Sequence, residues 1–438
     1  FIGLAEVFAD CGLSASLIQR KAITADDETS VFALNIGAGV VLAVLLSLLS
    51  PLVARFYNQP VLMPMLCVLS LSIVISSFGT VQSALLARTM QFHKTAAIGT
   101  ARAIVSGVTG IVMAFLGWGV WSLIGSSLSA TLVGVGLCWT LSPWRPRGRP
   151  RMRCIRSMWD FSSKLLYCSL IGIAYQNMYS VIIGKVYSPE SLGYYNRANR
   201  LRMLPASTMT GIVNRVAFPL FSRCQDDKPL LLRRMREIVR STLLLSAGGL
   251  TLLAVLADPL VPLLLTEKWR PSVPLLRILC YAGILYPIHA LYLMVLQAQG
   301  YSNLNARLET IKVVMGLVTI ALVYQYGVTA LAWAVVGLTL IAYFLNAWYN
   351  VKLLGYRWRS QAVDIIPTFV LCAIAGWTAW WVATLVSGMS LAVLFVQGLS
   401  FVLLVGTGVF LFRDTFFADP WKHLVWAFGR LRHRRAGA

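Results

Sequence analysis

Two carboxylates stand inside the first apolar run of this sequence, where a charged group is costly and usually has a purpose. Glu6 and Asp10 are four residues apart, so a helix would carry both side chains on one face. Such a pair can bind a proton or a cation; alternatively, it forms a structural ion pair with an arginine of the same bundle. His289, in the middle of a later apolar run, can relay a proton or simply hold one hydrogen-bond partner. These three residues are the predicted positions for cation or proton coupling.

Basic side chains in or beside other apolar runs form a second group. They are Arg102, Arg197, Arg200, Arg202, Arg215 and Lys312. Arginine suits phosphate because its planar guanidinium donates two parallel hydrogen bonds, so this group predicts a cationic lumen that binds an anionic substrate. The alternative is that long basic side chains near span ends extend to the water interface. Arg215 lies well inside its run, which favours the lumen, whereas Arg197 and Lys312 fit either interpretation.

The element that must position these side chains is a transmembrane helix. Hydrophobic residues make up 58% of the 438 residues and charged residues only 12%, against about 25% in soluble domains. Uninterrupted apolar runs of about 20 residues match a helix that crosses a bilayer, whereas barrel strands alternate in polarity over about 10 residues. The sequence therefore predicts an all-α fold, a polytopic integral membrane bundle.

The positive charge predicts how this bundle is oriented. The formal net charge is +22, and in membrane proteins lysine and arginine collect in cytoplasmic loops rather than on a nucleic-acid surface. With about twelve full spans and one partial span at the start, the basic residues fall mainly in alternate connections, including the Arg-rich break at 142–162 and a loop at 222–240 that holds Arg236 and Arg240. This pattern predicts a membrane protein with a cytoplasmic C-terminus and no nucleic-acid partner. Because Phe1 begins inside an apolar run, we also expect a preceding segment.

An internal repeat organises the spans. Residues 63–128 align without gaps on residues 273–338, and Pro64 matches Pro274. The paired segments cross the membrane in the same direction, which is typical of parallel repeats in transporters. We predict a truncated N-terminal lobe (1–141), a cytoplasmic basic linker (142–162), a C-terminal lobe (163–352), two further transmembrane helices (353–412) and a basic cytoplasmic tail (413–438).

Enzyme motifs and metal-ligand spacings are absent from the sequence. It holds no Walker loop, no nucleophile elbow and no zinc-binding histidine pair. Its eight cysteines show no metal-binding spacing, and most of them stand within apolar runs. We therefore expect no catalytic reaction, no cofactor and no metal ion.

Several stretches resemble a known family. They are FADCGLSASLIQRK at 8–21, ARFYNQP at 54–60, LGYYNRANRLR at 192–202 and FPLFSRCQDD at 218–227. The chain is similar to Wzx-type polysaccharide exporters (flippases) of the MOP superfamily, in the branch of the colanic-acid and xanthan exporters. The resemblance extends over essentially the whole chain. It implies a bundle of two pseudo-symmetric six-helix lobes plus two C-terminal helices.

The resemblance also implies a function. Such a protein would translocate an undecaprenyl-diphosphate-linked oligosaccharide repeat unit across the inner membrane by alternating access, for exopolysaccharide, O-antigen or capsule assembly. Arg197, Arg200 and Arg202 would lie near the path of the diphosphate, and membrane lipids and the polymerase or export machinery would be partners. Two alternatives stay open. A cation-coupled multidrug or small-molecule antiporter of the same superfamily would have an acidic lumen, and a membrane-embedded polysaccharide polymerase would need a large extracytoplasmic loop.

Overall fold

The computed structural model of the chain describes residues 2–20, 22–224, 227–299, 301–385 and 390–412. Within these ranges its elements are α-helices and one short 3-10 turn, with no β-strand. The first eight helices are α1 (Ile2–Asp10), α2 (Leu13–Gln19), α3 (Ala25–Tyr57), α4 (Leu62–Ser77), α5 (Thr80–Arg88), α6 (Phe92–Phe115), α7 (Trp121–Leu141) and α8 (Met152–Val186). The others are α9 (Pro189–Arg223), α10 (Lys228–Val255), α11 (Ala257–Leu265), α12 (Ser272–Ile284), α13 (Tyr286–Ala298), α14 (Ser302–Val323), α15 (Val328–Leu354), α16 (Trp358–Leu385) and α17 (Ser390–Leu411). The predicted basic tail, 413–438, lies outside the described residues.

Many of these helices are long and apolar enough to cross a bilayer. In the described part of the chain, eight helical segments meet that requirement, and three pairs bent by more than 40° raise the number to eleven. The prediction of an all-α, multi-pass membrane protein is confirmed. The number of about twelve full spans stays a prediction, since the length and composition of the helices alone do not fix it.

The chain divides into two compact units, Phe1–Asn177 and Met178–Ala438. In the first unit, α3 packs against α4 and α1, α2 against α5, and α6 against α7. In the second unit, α9 packs against α12 and α13, and α16 packs against both α10 and α17. The predicted lobe boundaries stay predictions.

The first predicted span consists of two helices that meet at an angle of 46°. Cys11 and Gly12 both adopt a positive φ, 50° and 70°, which interrupts the helix between Asp10 and Leu13. Gly12 also packs closely, because a Cβ atom there would lie 2.7 Å from the carbonyl oxygen of Ser162 on α8. A glycine is therefore needed for both the backbone conformation and the contact.

The basic linker lies on the first two turns of α3. Three of its backbone N–H groups donate to side chains of those turns: Gly148 to Thr29 at 3.1 Å, Arg149 to Asp26 at 2.9 Å and Arg151 to Ser30 at 2.8 Å. A Cβ atom on Gly148 would clash with the carbonyl group of Ala25, so the approach requires a glycine. The extended part of the predicted linker ends at Arg151, because α8 begins at Met152.

A buried carboxylate attaches α16 to α10 in the second unit. Asp364 has no exposed side-chain surface, and it accepts hydrogen bonds from Arg236 and Arg240 of α10 and from the Tyr356 hydroxyl at 2.7 Å. Burial, together with the negative charge of Asp364, raises the pKa of Tyr356, so its hydroxyl remains a donor. Helix α16 is thereby anchored to α10 by charge as well as by apolar packing.

Candidate functional site

Asp10 is the last residue of α1 and directly precedes the break between α1 and α2. Its Oδ1 atom accepts a hydrogen bond from the backbone N–H of Ser14 at 3.3 Å and another from the Ser14 hydroxyl. The carboxylate therefore caps the first turn of α2, whose N–H groups have no partner within the helix. The fully buried side chain of Asn35, on α3, lies beside this carboxylate. Among the described residues, the Asn35 amide closes no hydrogen bond of normal geometry.

Two cavities of the first unit meet at Asp10. The larger, of about 450 Å³, is lined by side chains of α1, α2 and α4–α7, among them Asp10, Ser14, Ser83, Arg102 and Thr131. The smaller, of about 360 Å³, is lined by Glu6 and Asp10 of α1 and by residues of α8 that include Ser169. The structure thus brings together three residues predicted from the sequence: Asp10 and Arg102 share one cavity, and Glu6 lines the next.

Arg102 is the cationic group of the larger cavity. It stands on α6, is exposed to the cavity, and its charge interacts with Glu6. The aliphatic part of its side chain lies against Gly134 of α7, where a Cβ atom would be 2.6 Å from Arg102 Cδ. The close approach of α6 and α7 at this glycine brings the guanidinium and the α7 wall of the cavity together.

The polar groups of this cavity have the chemistry to bind an anion beside an acid. A guanidinium can donate to two phosphate oxygens at once, and the hydroxyl groups of Ser14, Ser83 and Thr131 add further polar contacts. Asp10 opposes an anion in the same space, because like charges repel strongly where water is scarce. Binding of a phosphate here therefore favours a proton or a cation on Asp10.

The predicted arginines of the second unit have different neighbours. Arg197 of α9 stacks over the Trp269 ring, with its Cζ atom 4.9 Å from the ring centroid. Arg202 packs against α12, where a Cβ atom on Gly283 would lie 3.1 Å from its Cγ atom. Arg200 is exposed on α9. The Arg215 side chain lies outside the described part of the structure.

Lys312 and His289 are held by polar partners in the second unit. Lys312 is buried, and its Nζ atom lies 2.7 Å from Glu309 Oε1, one helical turn away. The His289 Nδ1 atom lies 3.2 Å from the Asn346 amide nitrogen. Both residues therefore have a local polar partner. The predicted roles of Lys312 in substrate binding and of His289 in coupling stay predictions.

Three features of the structure were missed by sequence reasoning. Asn35 and Gly134 carry no charge, and nothing in their local sequence separates them from other polar or small residues of membrane helices. Asp364 did carry a signal, because it is an acid among apolar residues of α16. Arg236 and Arg240 were assigned to a cytoplasmic loop by the charge pattern, but they lie on α10 and bind Asp364.

The fold defined by these helices is a multi-pass membrane bundle. It superposes on the structure of the lipid II flippase MurJ in its inward closed conformation with a TM-score of 0.75, covering 94% of this chain and 92% of that chain. The two sequences are 16% identical, so the likeness establishes the fold alone.

The chain belongs to the polysaccharide biosynthesis protein family, whose model matches residues 1–274. It is 27% identical over 386 residues to the lipopolysaccharide biosynthesis protein WzxC of Escherichia coli K12, covering 84% of this chain and 76% of that protein. It is 25% identical over 359 residues to the succinoglycan biosynthesis transport protein ExoT of Rhizobium meliloti, covering 81% of this chain and 70% of that protein. The resemblance to polysaccharide exporters of the MOP superfamily is confirmed.

Proposed function

We propose that this chain is a flippase that moves an undecaprenyl-diphosphate-linked oligosaccharide across the bacterial inner membrane, without a catalytic reaction of its own. Family membership and relatives named for polysaccharide biosynthesis and transport support this proposal. The observation that carries it is the cavity at Arg102, where a guanidinium and several hydroxyl groups lie among membrane helices. A cation at this depth is costly unless it borders water or an anion.

In this function Arg102 holds the diphosphate. Its guanidinium donates to two phosphate oxygens, while the hydroxyl groups of the cavity contact the phosphate and the first sugar. The polyprenyl tail stays in the bilayer, because transferring each CH₂ group into water costs about 0.8 kcal/mol. The glycan passes through the water-filled space. The predicted cations of the second unit, Arg197, Arg200, Arg202, Arg215 and Lys312, contribute further positive potential along the path.

Asp10 couples this binding to a proton or a cation. At about 6 Å and an effective dielectric constant of about 20, a carboxylate and one phosphate charge repel by about 3 kcal/mol. A proton or a monovalent cation on Asp10 removes this repulsion, so substrate and coupling ion bind together. Glu6, four residues earlier and close to Arg102, is the second acid that can take part. His289 lies in the other unit and is held by Asn346.

The orientation of the chain in the membrane follows from its charge pattern. We assign the basic linker and the C-terminus to the cytoplasm, because positive residues are retained on that side. In the proposed direction of transport, the substrate enters from the cytoplasmic side and leaves on the outer side. Polysaccharide polymerase or export machinery is therefore the proposed recipient of the flipped unit.

Flipping by the purified chain in liposomes tests the proposal. The probe is an undecaprenyl-diphosphate-linked disaccharide with a fluorescent sugar, and a membrane-impermeant quencher reports which leaflet it occupies. We expect Arg102→Ala to slow flipping at subsaturating probe roughly 10- to 100-fold, because a charge-assisted hydrogen bond contributes about 1.5–3 kcal/mol. Arg102→Lys keeps the charge but not the paired donors, so we expect an intermediate rate.

Arg55→Ala is the matched control, because Arg55 is an exposed arginine in the last turn of α3 and does not line the cavity. Absence of flipping by the wild-type chain would contradict the proposed function. Flipping by the wild type with an unchanged rate in Arg102→Ala would instead contradict only the assignment of the cavity.

A further inference from the structure

We infer that Gly134 is a positioning residue for the substrate: it leaves the space through which the Arg102 side chain reaches the cavity. This inference rests on the proposed function, because it gives Arg102 the role of holding the diphosphate. Gly134 lies on α7 and is buried, and it carries no group that can bind a substrate. Its contribution is made entirely through Arg102.

The position of Gly134 on α7 leaves no room for a side chain while Arg102 keeps its observed conformation. A Cβ atom on Gly134 would lie 2.6 Å from Cδ of Arg102, and 3.0 Å from both Cγ and Nε. Carbon atoms in contact lie about 3.5–4.0 Å apart, so even alanine excludes the observed path of the arginine. The three atoms concerned are consecutive along the side chain, which means that Arg102 runs across the surface left by the glycine.

The three atoms nearest to this Cβ position all belong to the Arg102 side chain. The clash is relieved when Arg102 turns to another staggered rotamer, without separating α6 from α7. The guanidinium then leaves its place in the cavity, while the helix pair stays packed. We therefore expect Gly134→Ala to impair substrate binding and to leave the folded protein intact.

The same helix provides a matched control. Gly136 is two residues further along α7, and a Cβ atom there would have no neighbour within 4 Å. Both positions are glycines in a helix interior, so alanine raises the intrinsic helix propensity equally at each. The two substitutions differ in the contact with Arg102.

The experiment compares Gly134→Ala, Gly136→Ala, Arg102→Ala and the double variant Arg102→Ala/Gly134→Ala in the liposome assay with the fluorescent disaccharide probe. For Gly134→Ala we expect the half-saturating probe concentration to rise about tenfold, with a smaller change in maximal rate, since a lost charge-assisted hydrogen bond has an effect of this order. Gly136→Ala keeps the wild-type values. The double variant is no worse than Arg102→Ala alone, because residues that act through one contact are not additive.

Three results would overturn the inference. The first is that Gly134→Ala behaves as Gly136→Ala while Arg102→Ala is impaired, which leaves the proposed function in place. The second is that the effects of Gly134→Ala and Arg102→Ala multiply in the double variant, which indicates independent packing. The third is an unimpaired Arg102→Ala variant, which removes the proposed site together with its positioning residue. Thermal unfolding of each variant in detergent shows whether a loss of flipping comes from a loss of folded protein.

Discussion

Arg236 holds the carboxylate of Asp364 from two nitrogen atoms, with Nε 2.7 Å from Oδ2 and Nη2 2.9 Å from Oδ1. Arg240 reaches the same carboxylate from one helical turn further along α10. Because both guanidinium groups donate to one carboxylate, this cluster attaches α16 firmly to α10. The charge pattern had predicted only a loop at this part of α10.

Replacing Asp364 by alanine leaves both arginines without their acid. We expect a loss of about 2–3 kcal/mol in the free energy of unfolding, below the value for fully buried pairs of about 3–5 kcal/mol because both arginines keep some solvent contact. The measurement is thermal or denaturant unfolding in detergent. Glu267→Ala, which breaks an ion pair with Arg270 that is exposed on both sides, serves as the control and changes stability by about 0.5 kcal/mol or less. Equal losses in the two variants would contradict the anchoring role of Asp364.

Replacing Asp10 by asparagine separates its two roles. The amide oxygen of asparagine still accepts from Ser14 and caps α2, but it no longer repels an anion or binds a proton. We expect a lower half-saturating substrate concentration at neutral pH, a slower maximal rate and a rate that no longer depends on pH or on cations. The measurement is flipping in liposomes at several pH values. If Asp10→Asn keeps the pH dependence of the wild type, the coupling ion binds elsewhere.

Replacing Gly12 by alanine places a side chain at a left-handed residue. The conformation alone costs about 1–2 kcal/mol, and the new Cβ atom also meets the carbonyl oxygen of Ser162. We expect a clear drop in unfolding temperature. Cys11→Ala is the control, because Cys11 already has a Cβ atom at positive φ, and alanine there removes only the thiol and its exposed hydrogen bond to the carbonyl oxygen of Phe8. A Gly12→Ala variant as stable as Cys11→Ala would show that the break between α1 and α2 tolerates other geometries.

Replacing Gly148 by alanine forces the linker away from the first two turns of α3, because the new Cβ atom would clash with the backbone of Ala25. We expect trypsin to cleave the linker faster, since three backbone hydrogen bonds to α3 are lost or strained. Gly37→Ala is the control, because Gly37 lies in α3 and a Cβ atom there would have no neighbour within 4 Å. Unchanged cleavage in Gly148→Ala would mean that the linker is held by its arginine side chains.

The class of fold followed from the sequence because bilayer thickness and backbone hydrogen bonding leave few solutions for long apolar runs. Residue type also drew attention to Asp10 and Arg102, since a charge at membrane depth needs a reason. Their meeting in one cavity depends on how α1, α6 and α7 pack, and the apolar pattern does not encode that. Gly134 could not be predicted for a similar reason. Glycine is frequent in membrane helices, and the role of this one depends on its distance from the Arg102 side chain, which only the structure gives.

The linker of the first unit is attached to α3 through three main-chain N–H groups, and the Arg151 side chain adds an ion pair with Asp26 at 3.1 Å. The route of the chain and the positive charge of the other arginines therefore depend on different atoms and can evolve separately. Arginines whose side chains do not contact α3 can be exchanged for lysines without disturbing the route of the chain over that helix. The position of Gly148 is the exception, and a small residue there is the mark by which this arrangement can be traced through related sequences.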